Sequence, residues 1–460
     1  MFSRRKFLTH SCSLGVASAT VSSSLLQLGL ARTASAQSAP GYRALVCVLL
    51  AGGNDSFNML VPTDPDQYAE YQGIRADLAL DSASLLTLPG TTPAGRSYGV
   101  HPSMPELQAL FGAGEAAMIA NVGTLLEAVD AAAIEAGTVR LPLGLFSHSD
   151  QINQWQTAVP DARIAQGWGG RIADLMQGVN VANGISMNVS LSGTNVFQSG
   201  NQVVEYSVEP EGDGAPGINA YDDGTEFGAF RKRVVDELLA VQQQNIFRRE
   251  YSRRLRAAID AQAVFIDAIQ TSPPLTSPFS ANPLSQSLCQ IARIIGARDV
   301  LGASRQTFFV NVGGWDHHDE LLNNQAELLP LLSVGLQEFR DALVELDVFN
   351  EVTTFTSSDF GRTLTSNGRG SDHGWGGHHI VMGGSVAGGQ IYGDYPLLSA
   401  SSPLDVGRGI YAPTTSVDQY FAELALWFGV SATELDQVLP NVREFYSPEG
   451  GGAPMGFLLA

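Results

Sequence analysis

Five stretches of this chain, residues 43–50, 116–122, 307–312, 351–356 and 379–382, are apolar or β-branched almost throughout, with no regular polar alternation. A strand with one wet face alternates. A run apolar on both faces is covered on both, which is the habit of a parallel sheet in an α/β fold. The runs therefore predict an α/β fold, a mainly parallel sheet flanked by helices on both faces. Helical spacing of apolar residues fills the intervals: 105–112, a long amphipathic region 227–269 bent or broken inside, 285–297 and 321–346. A last helix opens on a capping box from Ser416 to Gln419 and stops at Gly429. Residues 185–225 alternate polar and apolar positions among Gly, Asn and Ser, and read as an antiparallel ribbon or surface insertion, a small β-rich addition to the fold.

The N-terminus reads as an export signal. Ser3-Arg4-Arg5-Lys6-Phe7-Leu8 is a twin-arginine motif, followed by a weakly apolar Ser/Ala-rich stretch and Ala34-Ser35-Ala36, after which cleavage is expected. That route carries folded proteins to the periplasm or beyond. Residues 37–460 then form a single domain, with the insertion at about 185–225, since no low-complexity linker divides them. No later stretch holds enough uninterrupted apolar residues for a membrane span.

Removing residues 1–36 deletes four positive charges and no negative one, taking the formal charge from −20 to −24. Such a surface argues against nucleic acid and anionic lipid as partners. Cys47 lies in an apolar run and reads as a core residue, and Cys289 falls in a helix. Nothing in their placement demands a disulfide.

The chemistry-bearing residues gather just beyond the apolar runs. After 43–50 comes Gly52-Gly53-Asn54-Asp55, where Asp55 is placed either as a metal ligand or as a turn cap. After 307–312 comes Gly314-Trp315-Asp316-His317-His318-Asp319. In extended chain Asp316 and His318 share a face while His317 points away, which makes the first two a metal pair. After 351–356 come Asp359, Arg362, Asp372-His373 and His378-His379. Carboxylate with imidazole suits Zn, Mn or Fe, as one ion or two, better than Ca or Mg. Arg362 reads as a fork for a tetrahedral oxyanion or as a partner of Asp359. Ser147, ahead of His148 at an expected helix start, is either a nucleophile or an N-cap.

These motifs resemble those of the domain-of-unknown-function 1501 family, similar in fold to the alkaline phosphatase and sulfatase superfamily. The likeness runs through Gly52–Asn58, Val100-His101-Pro102, Ser147-His148, Gly314–His318, Ser358–Thr363 and Asp372-His373-Gly374. The resemblance implies metal ligands at Asp55, Asp316, His318, Asp359 and His373 or His378, with Ser147 near the nucleophile's helix. The chain departs from that superfamily in two places. One residue rather than three separates Asp316 from His318, and Asp359-Phe360 stands where an Asp-His pair is expected. The expected activity is an exported metal-dependent hydrolase of phosphate or related esters acting on a small-molecule or glycan-linked substrate. The alternative is a non-catalytic envelope binding or assembly protein on a degenerate phosphatase-like fold.

Overall fold

The structure, a computed structural model, describes residues 41–459 apart from 91–94, 182–183, 213, 216, 218–220, 222 and 400. The twin-arginine stretch and its cleavage point lie outside the described residues. The strands of the main sheet are β1 (Arg43–Leu50), β2 (Ala116–Gly123), β3 (Asn188–Ser190), β4 (Tyr206–Ser207), β5 (Arg305–Val312), β6 (Val352–Ser358), β7 (Gly377–Met382), β8 (Ile391–Tyr392) and β9 (Thr415–Ser416). Their order is β8-β2-β7-β6-β1-β5-β3-β4, with β9 beside β2. Pairing is parallel throughout except at β7, which runs against both neighbours.

β1 is the centre, and its alternation shows why the strand is apolar on both sides. Val46, Val48 and Leu50 pack into one core layer with Ile291, Leu332 and Phe339. Leu45, Cys47 and Leu49 pack into the other with Trp168, Phe355 and Phe421. Each fully buried large aliphatic side chain contributes about 1.5–3 kcal/mol, so neither face tolerates a polar residue cheaply. The principal helices are α1 (Pro65–Arg75), α2 (Pro105–Gly112), α3 (His148–Thr157), α4 (Trp168–Leu175), α5 (Glu226–Ala240), α6 (Ile246–Thr271), α7 (Pro283–Gly296), α8 (Leu321–Glu345) and α9 (Val417–Phe428). The two-sided cover makes this a mixed α/β protein with a central, mostly parallel sheet flanked by helices. Among the described residues Cys47 and Cys289 are free.

The segment expected as an antiparallel ribbon or surface insertion carries two short strands whose pairing is parallel. β3 and β4 extend the main sheet by parallel pairing onto β5. Its polar residues mislead because they are satisfied inside. Thr307 donates to Asn188 at 2.8 Å, and the Asn188 amide donates to the carbonyl of Gln198 at 2.8 Å. Polarity here marks a buried network and not a wet face.

Register positions the site. Leu50 pairs with Val312 on one side and with Ser358 on the other. Three chain segments therefore leave the sheet side by side at one edge, carrying residues 51–55, 313–318 and 359–362.

Candidate metal centre at the carboxyl edge of the sheet

Close approach of these segments depends on glycine. At Gly52 (φ +121°) a Cβ would lie 2.5 Å from the backbone nitrogen of Asp316, so only glycine lets the β1 tail touch the β5 tail. The Gly52 N–H donates to Asp359 Oδ1 at 3.0 Å. Gly53 (φ +88°) leaves room for the Phe360 ring, which a Cβ would meet at 2.5 Å.

Asp316 and three histidines converge over this edge. Asp316 Oδ2 lies 3.5 Å from His148 Nε2, and its Oδ1 lies 3.1 Å from His318 Nε2 and 3.5 Å from His373 Nε2. His318 and His373 face each other Nε2 to Nε2 at 2.9 Å. Each ring is also held from behind through Nδ1. His148 Nδ1 bonds Asp359 Oδ2 at 2.7 Å, His373 Nδ1 bonds the Phe146 carbonyl at 2.8 Å, and His318 Nδ1 bonds Asp372 Oδ1 at 3.2 Å.

The three partners are a carboxylate, a carbonyl and a carboxylate, all acceptors. Each Nδ1 must therefore donate, and in the neutral ring each Nε2 then presents a lone pair. Lone pairs of His318 and His373 aimed at each other across 2.9 Å repel unless a proton or a metal cation lies between them. Histidines fixed through Nδ1 by acceptors, with Nε2 inward, are typical ligands of a metal site, the acceptors forming its outer shell. In a tetrahedral shell of Zn–N radius near 2.0–2.1 Å the ligand atoms stand about 3.3 Å apart. Asp316 Oδ1 and the Nε2 atoms of His318 and His373 stand 2.9–3.5 Å apart, on that scale, while His148 Nε2 approaches the other Asp316 oxygen. The donor set fits a divalent transition ion, and the described residues His148, Asp316 and His373 form a group able to hold one.

Charge at the site is arranged accordingly. Partial burial by itself would raise the Asp316 carboxyl, but the Arg362 hydrogen bond and charge, with His318 and His148, hold it below the usual range. Burial lowers the His373 imidazole, favouring the neutral, ligating form. Burial raises the Asp359 carboxyl, and the Gly52 N–H and His148 pull it back.

The sequence-derived residues sort clearly. Asp316, His318 and His373 come together as expected. Asp359 is one step behind, holding His148. Arg362 is fully buried and pairs with Asp316 at 2.7 Å, not with Asp359, while its other Nη binds the Ser371 carbonyl. With its fork committed, it orients Asp316 and offers no free face to an oxyanion. Asp55 does not reach the cluster: its Oδ2 is taken by the buried guanidinium of Arg75 and by Ser371 Oγ at 2.7 Å. Its Oδ1, equally buried, has no hydrogen-bond partner among the described residues. His378 is buried elsewhere, its Nδ1 accepting the Asn121 N–H at 3.0 Å and its ring stacked on Tyr395.

His148 joins this cluster although the sequence marked it only as the neighbour of Ser147. Ser147 stands at the N-cap of α3 with no side-chain capping bond to the backbone, and its hydroxyl lies 3.3 Å from Ser149 Oγ in the first turn. It sits between His148 and Phe146, whose φ of +75° is strained for a bulky side chain. Phe360 lines the same wall, its ring centroid 4.9 Å from that of His148 and 4.6 Å from that of His373.

Fold and site together define an α/β protein with a His/Asp metal-type cluster at the carboxyl edge of its sheet. The chain belongs to the family described as "Protein of unknown function (DUF1501)", whose model matches residues 42–439. No curated protein matches the chain. Among solved structures it is similar to Ps i-CgsB in complex with k-i-k-neocarrahexaose, at 10% identity and TM-score 0.35, over 89% of this chain and 78% of that one. It is similar also to the soluble domain of lipooligosaccharide phosphoethanolamine transferase A from Neisseria meningitidis, at 9% identity and TM-score 0.35, over 88% of this chain and 94% of that one.

Proposed function

We propose that the protein is a metal-dependent hydrolase of phosphate or related esters on an alkaline phosphatase-like scaffold, exported folded by the twin-arginine route as a single domain of residues 37–460. One divalent ion, Zn, Mn or Fe, is held by His148, Asp316, His318 and His373. The observation that carries this reading is the set of three imidazoles whose Nδ1 atoms are each bound to an acceptor while their Nε2 atoms meet at Asp316. When bound, such an ion supplies Lewis acidity to an ester oxygen.

The chain's own residues would do the rest. Arg362 keeps Asp316 ionised and aimed. Asp359 fixes the His148 tautomer. Ser147 offers a hydroxyl at the start of α3, where free backbone N–H groups favour the negative charge that builds up during attack on an ester. The strongly acidic surface does not repel an anionic ester at the centre, because a bound cation inverts the local sign.

A second reading, a non-catalytic binding or assembly protein, draws support from Phe360. A buried ring between His148 and His373 closes one side of the cluster with an apolar wall. Metal analysis of the natively purified protein, followed by a screen of aryl phosphate mono- and diesters and sulfates, separates the two. The hydrolase reading expects about one ion per chain, activity lost with the ion in His148→Ala, and activity lost with the ion retained in Ser147→Ala. A metal-loaded protein inert toward every ester favours the binding module, and a metal-free one removes the catalyst altogether.

A further inference from the structure

α5 and the first half of α6 form a helical hairpin that the body of the protein does not cover. In the 15 residues of α5 only Gly228 is buried, and α6 buries nothing before Ile259. Nine of the 17 large hydrophobic residues exposed among the described residues fall between 227 and 264. Phe227, Phe247 and Tyr251 are 64, 81 and 68% exposed, far beyond what a finished helix surface shows.

The hairpin also reverses the charge of the chain. Residues 226–255 carry seven of its 26 Lys and Arg against four Asp and Glu, a local +3 in a molecule of −20. The cations flank the rings directly: Arg231 lies over Phe227 at 4.8 Å and Arg233 over Phe230 at 5.6 Å. Amphipathic helices with Phe and Leu on one side and Arg and Lys around it are built to lie in a lipid interface.

We propose that this hairpin docks the protein on an anionic phospholipid surface, its rings in the headgroup boundary and its arginines among the phosphates. A second copy of the chain is a poorer occupant. Hairpin against hairpin brings two net-positive surfaces together. Among the described residues the other exposed hydrophobics, such as Leu141, Val204, Val300 and Leu397, come singly from separate segments and form no second helical face like the hairpin's. The net charge that repels the body from such a surface does not govern an element of opposite sign reaching beyond it; local charge decides within a Debye length. The body's repulsion also orients the docked molecule, hairpin inward.

Co-sedimentation of the full-length chain with vesicles tests this, using phosphatidylcholine alone and equal parts phosphatidylcholine and phosphatidylglycerol. The N-terminal residues are common to all variants, so differences report on the hairpin. Binding is expected to the anionic vesicles, weakening with salt. Arg248→Gln with Arg249→Gln should lower it by roughly tenfold or more, and Phe247→Ser with Tyr251→Ser should abolish it. These side chains are exposed, and unchanged urea unfolding would verify that the variants fold. Equal binding to both vesicle types, or binding unaltered by either double variant, overturns the proposal. So does light scattering that finds a dimer dissociating on Phe247→Ser, which assigns the surface to a second copy.

Discussion

Replacing Asp359 by asparagine changes one oxygen to an NH2 group and tests the metal centre without touching a ligand. Both carboxylate oxygens accept: Oδ1 from Gly52 N–H at 3.0 Å and Oδ2 from His148 Nδ1–H at 2.7 Å. Asparagine has a single acceptor for these two donors. If its oxygen turns to Gly52, its NH2 faces His148 and forces the other tautomer, so Nε2 carries a proton and no longer ligates. If its oxygen turns to His148, two N–H groups oppose each other in a buried site, at a cost of about 1–3 kcal/mol. Loss of a partner behind a ligating histidine typically weakens metal affinity by about 10–100-fold, or roughly 1.4–2.7 kcal/mol. Competition for Zn(II) against a chromogenic chelator reads this directly, with urea unfolding of the metal-free protein as the check on folding. Asp372→Asn is the internal comparison. Its bond to His318 is longer, at 3.2 Å, and Asn367 and Arg408 also hold that carboxylate, so a smaller loss is expected. An Asp359→Asn protein that folds normally and binds the ion as tightly as the parent would refute the tethered-histidine account.

Two further predictions concern buried carboxylates away from the cluster. Asp55→Asn leaves Arg75 uncompensated in a site where both side chains are fully buried, and should cost about 3–5 kcal/mol of stability; metal stoichiometry of the folded fraction should be unchanged, and its loss would return Asp55 to the ligand set. Asp418, in the first turn of α9, is pushed up to about 7 by desolvation. The folded state therefore holds a proton that the unfolded chain gives up near pH 4, so this group's contribution to stability falls as pH rises from about 4 to 7 and is level above. Urea unfolding across that range should show the parent losing stability relative to Asp418→Asn, and parallel curves would exclude it.

The strands and several helices were legible because burial on both faces writes itself into composition. The run at 43–50 is β1 to the residue, and the helix at 105–112 is α2. The capping box at Ser416 and the left-handed Gly429 are both present, since caps are local chemistry. The long region 227–269 breaks between Ala240 and Ile246 into two helices. The site was half legible. Asp316 and His318 share a sequence neighbourhood, and the strand-end rule finds them. Asp55 obeys the same rule and yet is claimed by Arg75, twenty residues on, a partner that only the tertiary fold supplies. His148 needed the opposite information, namely that α3 begins against the tail of β6. A lone His after a Ser carries no such signal, and the trace that was available lay in the motif Ser147-His148 itself.

The four converging donors belong to three separate regions of the chain: His148 at a helix start, Asp316 and His318 beyond β5, and His373 at the end of the short strand Ser371–His373. No fragment ending before residue 373 can assemble them, and no partly folded form brings the Nε2 atoms within a few ångströms. On the proposed reading, ion capture would therefore be a late event, and the ion chosen would be whichever competes best where the chain completes its fold. A transport route that moves only finished molecules would then settle the metal's identity from the interior supply, before the protein meets the mixture outside.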